Sequence, residues 1–179
     1  DRLINSTSPT TTIVLSNMGN IPLAYTLAET DANNQFTTVL PCTNPCPALA
    51  AGGQTAITVA FAPTSVGAKS GSIRVVSNDP DMPTIDIPLS GNGIAPHASV
   101  NLTGTQAFGT VEVGSSGTAK TLIITNDGSS PLTISSAALT AGPNNGNWSV
   151  TGTLPPQPVP MGESRMITIN CVPITHGSV

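Results

Sequence analysis

Charge is the scarcest commodity in this chain. Only 8% of its 179 residues are charged, against about a quarter in an ordinary soluble domain. Lysine occurs only at Lys69 and Lys120, and the five basic residues are scattered. Nucleic-acid binding needs clustered Lys and Arg to neutralise phosphates, so that function is excluded. No apolar run approaches the ~18 residues of a membrane span, which excludes a direct membrane-spanning role. Aromatics make up 3% of the chain. The chain opens on Asp1 without initiator Met or leader, and reads as beginning inside something longer or after processing.

Disorder does not follow from these shortages. The hydrophobic fraction is 38% and the net charge only -4, so enough apolar surface exists to fold. The apolar residues are mostly Val, Ile, Leu and Ala, often beside Thr, and suit a pleated, half-buried surface. A surface of hydroxyls and amides is common in secreted and cell-surface β proteins and points to an extracellular or cell-surface location.

An internal repeat organises the chain. Residues 12–25 read TIVLSNMGNIPLAY and residues 121–134 read TLIITNDGSSPLTI, matching at an offset of 109. Residues 52–67, GGQTAITVAFAPTSVG, match 162–177, GESRMITINCVPITHG, at an offset of 110. Phe36 and Trp148 fall at equivalent core sites between these blocks. In each repeat a strand leads into an Asn-x-Gly turn, which can require positive φ, and Pro-Leu opens the next strand. Ile57, Val59 and Phe61 alternate with Thr58 and Ala60. Ile85, Ile87 and Leu89 alternate with Asp86 and Pro88, and Pro88 marks an edge or a bulge. Short strands with frequent turn signals predict an all-β fold of two tandem immunoglobulin-like antiparallel β-sandwiches, one over 1–94 and one over 95–179.

Phe108-Gly109, Val113-Gly114, Asn126-x-Gly128-x-x-Pro131-Leu132 and Phe61-x-Pro63-x-x-x-Gly67 form one recurring set. Ser77-Asn78-Asp79-Pro80-Asp81 followed by Ile85-x-Ile87-x-Leu89-Ser90-Gly91-x-Gly93 forms another. Together they resemble the ASH/Hydin-type immunoglobulin-like domains, relatives of the PapD and major-sperm-protein sandwiches, and most of all the bacterial tandem versions called choice-of-anchor D. The resemblance covers essentially the whole chain and implies scaffolding, adhesion or assembly, not catalysis. Cys171 departs from it by standing where the first repeat has Phe61.

Chemistry-bearing residues are few. His97 lies in the segment joining the modules and His176 in a loop, neither in a nucleophile motif. Gly114-Ser115-Ser116-Gly117 reads as a strand-to-strand turn, not a nucleophile elbow. Asp79 and Asp81 flank Pro80, and a β-turn is favoured over a calcium pair because calcium wants 6–8 oxygens. No catalytic, cofactor-binding or metal site is expected. Cys42 and Cys46 leave three readings open: a disulfide, which is favoured, free thiols, or a metal site lacking ligands. Cys171 is expected to be buried and unpaired. Asn5, Asn101 and Asn147 fit the glycosylation pattern, which arises readily by chance in such a composition.

The repeat also predicts gaps. Module 1 is expected to lack its first strand, whose counterpart lies near Phe108. Module 2 is expected to lack the last pair, the counterparts of 73–77 and 85–89. That pair would bury about five aliphatic side chains, on the order of 10 kcal/mol, comparable to the whole stability of a domain. The chain is then a fragment of a modular protein, or strand addition from a neighbour completes it. The functional expectation is a structural or interaction module of an extracellular or surface protein, with protein partners or neighbouring modules, as in a subunit of an appendage or large assembly. A cytoplasmic or ciliary scaffold, or an accessory domain of a secreted enzyme, are the alternatives. The loop at 28–51 is the first candidate for contacts.

Overall fold

Alternation of β-branched and polar residues draws the chain into short strands. The computed structural model describes residues 1–139, 145–152 and 157–176. Among these it is all-β apart from one short helical turn at Asn145–Asn147. The chain divides into two compact units, Asp1–Ile94 and Ala95–Val179.

Unit 1 holds β1 (Arg2–Leu3), β2 (Thr11–Ser16), β3 (Tyr25–Thr30), β4 (Phe36–Val39), β5 (Gln54–Phe61), β6 (Gly67–Ser77) and β7 (Thr84–Ile94). They form two sheets, ordered β1-β7-β6-β3 and β2-β5-β4. The period-2 pattern turns Ile57 and Val59 of β5 inward toward Leu27, Ile73 and Val75, all buried. Each such side chain contributes about 1.5–3 kcal/mol when fully buried. Phe36 pairs with Phe61 across β4 and β5, their rings 5.1 Å apart. A Cβ at Gly91 would come within 2.6 Å of the Phe61 ring, so the small residue is needed there for packing.

Strand β7 keeps Ile85, Ile87 and Leu89 half-buried against the core and Asp86 and Pro88 exposed. Its ladder with β6 runs unbroken past Pro88, which faces Ser72. Strand β1 covers the other flank of β7 only at Gly93 and Ile94. Pro88 therefore marks an open edge and not a bulge, because its missing N–H costs nothing on an unpaired flank.

The stretch 28–51 is not the loose insert its sequence suggested. Ala28, Glu29 and Thr30 finish β3, and Phe36–Val39 form β4 against β5. Alternating Phe36 and Thr38 suit a strand; the intervening turn is held by Asp31, whose carboxylate accepts the Phe36 N–H at 2.6 Å.

Unit 2 holds β8 (Ala98–Val100), β9 (Lys120–Asn126), β10 (Trp148–Thr151) and β11 (Ser164–Cys171). They form one sheet, ordered β10-β11-β9-β8. Trp148 faces Cys171 in register as Phe36 faces Phe61. The larger indole offsets the smaller thiol, and Phe108 packs edge-on against it at 4.9 Å. Other repeat features recur as geometry. Asn5 N–H reaches the Pro63 carbonyl, and Gly114 N–H reaches that of Pro173, both at 2.8 Å. The isolated bridges Leu23–Leu49 and Leu132–Val159 correspond as well. Residues 134–139, the counterparts of β3, form no strand, and no second sheet faces β8–β11 among the described residues.

Gly114–Gly117 is a turn on the way between β8 and β9, which pair antiparallel. The connection is long, and within it Gly114 and Gly117 donate to the carbonyls of Pro173 and Cys171.

Candidate interaction surface

A sheet edge presents unpaired N–H and C=O groups, and each edge must be covered, blunted or used. The edges of unit 1 are treated differently. At β3, the 40–53 loop folds back over the strand. Asn44 Oδ1 accepts the Leu27 N–H at 3.0 Å, and Asn44 Nδ2 donates to the Leu27 carbonyl at 2.6 Å. One side-chain amide thus replaces a neighbouring strand at that residue. Beside it Cys42 and Cys46 are joined, with Cα atoms 5.4 Å apart, and Cys46 is buried against the core. Cys171 is buried and unpaired. The candidate contact loop therefore serves largely to close its own domain.

At β7, Pro88 and a cross-strand ion pair blunt the edge. Arg74 donates to Asp86 through Nε and Nη2 at 2.7 and 2.8 Å. The hydrogen bond from Arg74 holds the Asp86 carboxyl below the ordinary aspartate value of 3.8. Strand β2 has no such protection. Its sequence, TTIVLS, contains neither charge nor proline, and among the described residues β5 is its only neighbour.

The turn after β2 is built on Asn17, a buried side chain. Its Nδ2 donates to the carbonyls of Ile21, Leu49 and Ala50 at 2.8, 2.9 and 3.1 Å, and its Oδ1 accepts the Gly19 N–H at 3.0 Å. Asn126 repeats this in unit 2, donating to Ser130 and Val159 carbonyls and accepting from Gly128. This corrects the positive-φ expectation: neither asparagine, nor Gly19 or Gly128, has a positive φ. The Asn-x-Gly signature is a buried-amide pin.

Between this turn and the one joining β6 to β7 lies a groove of about 570 Å³, rimmed by Met18, Ile21 and Met82. Met18 is 90% exposed and Ile21 65%. Asp79 borders the groove and serves a turn, its Oδ1 accepting the N–H groups of Asp81 and Met82. His97 bonds to Asp127, and that hydrogen bond holds the Asp127 carboxyl below its ordinary value. His176 is exposed near the end of the described chain. Among the described residues no three His, Cys, Asp or Glu side chains gather as a metal site would need.

Residues 3–92 match the family model of the HYDIN/CFA65/VesB-like Ig-like domain, nearly the extent of unit 1. Among solved structures the chain is similar to an ASH / PapD-like domain of human CEP192, its PapD-like domain 7. The identity is 18% and the TM-score 0.41, covering 51% of this chain and 75% of that one. No curated protein matches significantly.

Proposed function

Because the chain belongs to the HYDIN/CFA65/VesB-like family of Ig-like domains, we propose that it is a non-catalytic interaction module of an extracellular or cell-surface modular protein, as in an appendage or other large assembly. The observation that carries this reading is the uneven treatment of its edges. Asn44 closes β3 and Pro88 blunts β7, while the uncharged β2 is left available for main-chain pairing. Among the described residues unit 2 presents four strands, as one sheet. Strands from a neighbouring module or chain would complete it as a second sandwich.

The compartment is argued from the Cys42–Cys46 bridge and the low charge. Disulfides persist in oxidising surroundings and are rare in the cytosol. Treating whole cells that make the intact protein with a membrane-impermeant amine label tests this. Labelling of Lys69 and Lys120 in unbroken cells, or in the secreted fraction, is the expected result. Labelling only after lysis would favour the alternative, a cytoplasmic or ciliary scaffold of the same fold.

A further inference from the structure

The two units treat equivalent strands unequally. In unit 2, seven consecutive residues run along the outer edge of β9 and the turn that follows it. Ala98–Val100 pair with Ile124–Asn126 as β8. Ahead of them, the Ala95 carbonyl accepts the Ser129 N–H at 2.8 Å and the His97 carbonyl accepts the Asp127 N–H at 3.1 Å. Behind them, Asn101 N–H reaches the Ile123 carbonyl, and its Oδ1 accepts the Ile123 N–H at 2.6 Å. Ile123, Thr125, Asp127 and Ser129 thus carry the contacts.

By the repeat offset of 109 the counterparts in unit 1 are Val14, Ser16, Met18 and Asn20. Strand β2 has β5 on one side and, among the described residues, no strand on the other. Among the described residues the N–H groups of Met18 and Asn20 find no partner. The glycines add a second, independent sign. A Cβ on Gly128 would sit 2.2 Å from the His97 nitrogen and 2.6 Å from the Ala95 oxygen, so the docked segment demands glycine there. A Cβ on Gly19 would meet only Asn17 Oδ1, at 3.2 Å, and its φ is not positive. In unit 1 only the Asn17 side chain crowds that position, by a few tenths of an ångström, whereas an incoming backbone in the unit 2 geometry would demand glycine outright.

We infer that the outer edge of β2, continued through Met18–Asn20, is the seat of an extended, proline-led strand of the Ala95–Asn101 pattern, supplied by an adjoining module of the same repeat. The inference rests on reading the chain as a module that pairs through its edges, and not on its compartment. A second copy is a poor donor, because its own Ala95–Asn101 already lies on β9. The seat also sets the chemistry of the occupant. His97 bonds Asp127 in unit 2, but Met18 stands at that position in unit 1, beside a groove rimmed by Ile21 and Met82. The occupant therefore carries an apolar residue where unit 2 has His97, because Met18 and the groove rim offer it apolar contact in place of the Asp127 carboxylate.

The test appends a copy of residues 95–109, with His97→Leu in that copy, ahead of Asp1 in the full chain. Amide hydrogen exchange is then read residue by residue. Exchange at Val14, Ser16, Met18 and Asn20 slows by about tenfold or more if the strand seats. Ile123 and Asp127 serve as the internal standard. Gly19→Ala in the extended chain abolishes the slowing at Met18 and Asn20, while the unextended chain carrying it stays folded with only a small change in melting. If the extension disturbs folding, the same segment is added in trans as a peptide and the same amides are followed. Unchanged exchange at these four amides, by either route, overturns the inference. So does slowing that survives Gly19→Ala. Concentration-dependent protection of the same amides in the unextended chain also overturns it, by assigning the edge to a second copy.

Discussion

Asn44 closes the edge of the sheet at Leu27, bonding both its N–H and its carbonyl through one side-chain amide. A carboxamide offers a donor and an acceptor side by side, as a peptide group of a neighbouring strand does. Replacing it by Asn44→Ala leaves both groups of Leu27 unpaired in a partly buried place. The expected cost is about 1–3 kcal/mol, seen as a lower denaturant midpoint with an unchanged slope. The freed edge also becomes a pairing template, so sedimentation should show self-association that the parent chain lacks. A variant of unchanged stability and unchanged mass would remove the edge-closing role.

The buried amide of Asn17 makes a sharper prediction. It bonds three carbonyls and one N–H, which tie the turn after β2 to Leu49 and Ala50. Asn17→Ala should destabilise unit 1 by about 1–3 kcal/mol, since the Ile21 carbonyl and the Gly19 N–H lose their partner, while the Leu49 and Ala50 carbonyls keep only the backbone N–H groups of Leu23 and Gly53. Asn17→Asp keeps the acceptor for Gly19 but turns oxygen toward three carbonyls, and should cost more than alanine near neutral pH. Chemical denaturation of both variants decides it. A loss under about 1 kcal/mol for either would mean that the hydrogen bonds are replaceable by water.

The Arg74–Asp86 pair predicts a pH dependence. Its hydrogen bond lowers the folded pKa of Asp86 below 3.8. The pair's contribution is therefore fully present above that ordinary value and is lost as pH falls through the lower folded one. Carboxyl chemical shifts followed by NMR should place the Asp86 titration below the ordinary range, and Arg74→Ala should return it there. An Asp86 titration unmoved by Arg74→Ala would contradict the assignment. Both side chains are about half exposed, so added salt should weaken the effect.

Local patterning made the β character and the repeat legible. Ile57 and Val59, or Ile85, Ile87 and Leu89, announce their inward face by alternation alone. The match of Asn17-x-Gly19 to Asn126-x-Gly128 was equally visible. Its reason was not, because the asparagine's partners include Leu49 and Ala50, more than 30 residues away in sequence. Asn44 was hidden for the same cause: its partner lies 17 residues earlier, and nothing in PCTNPCP says which edge the loop will reach. The 28–51 stretch looked like an insert because Pro, Asn and Cys surround the short β4. Its strand character depends on Phe36 finding Phe61 across the sheet. The contrast between β2 and β9 was not legible: the strand expected to be missing from module 1 was the counterpart of Phe108-Gly109, whereas the segment that covers β9 is Ala95–Asn101.

The thiol state of the protein as its own cells make it tests the central claim most directly. Trapping with an alkylating agent in acid-quenched, unfolded protein, without reductant, reads all three cysteines at once. An interaction module working outside the cytosol should show Cys42 and Cys46 unalkylated and joined, and Cys171 alkylated. A short bridge of this kind is worth about 2 kcal/mol through chain entropy, so reduction should also lower the midpoint of unit 1. Alkylation of all three cysteines before any reduction would contradict the account.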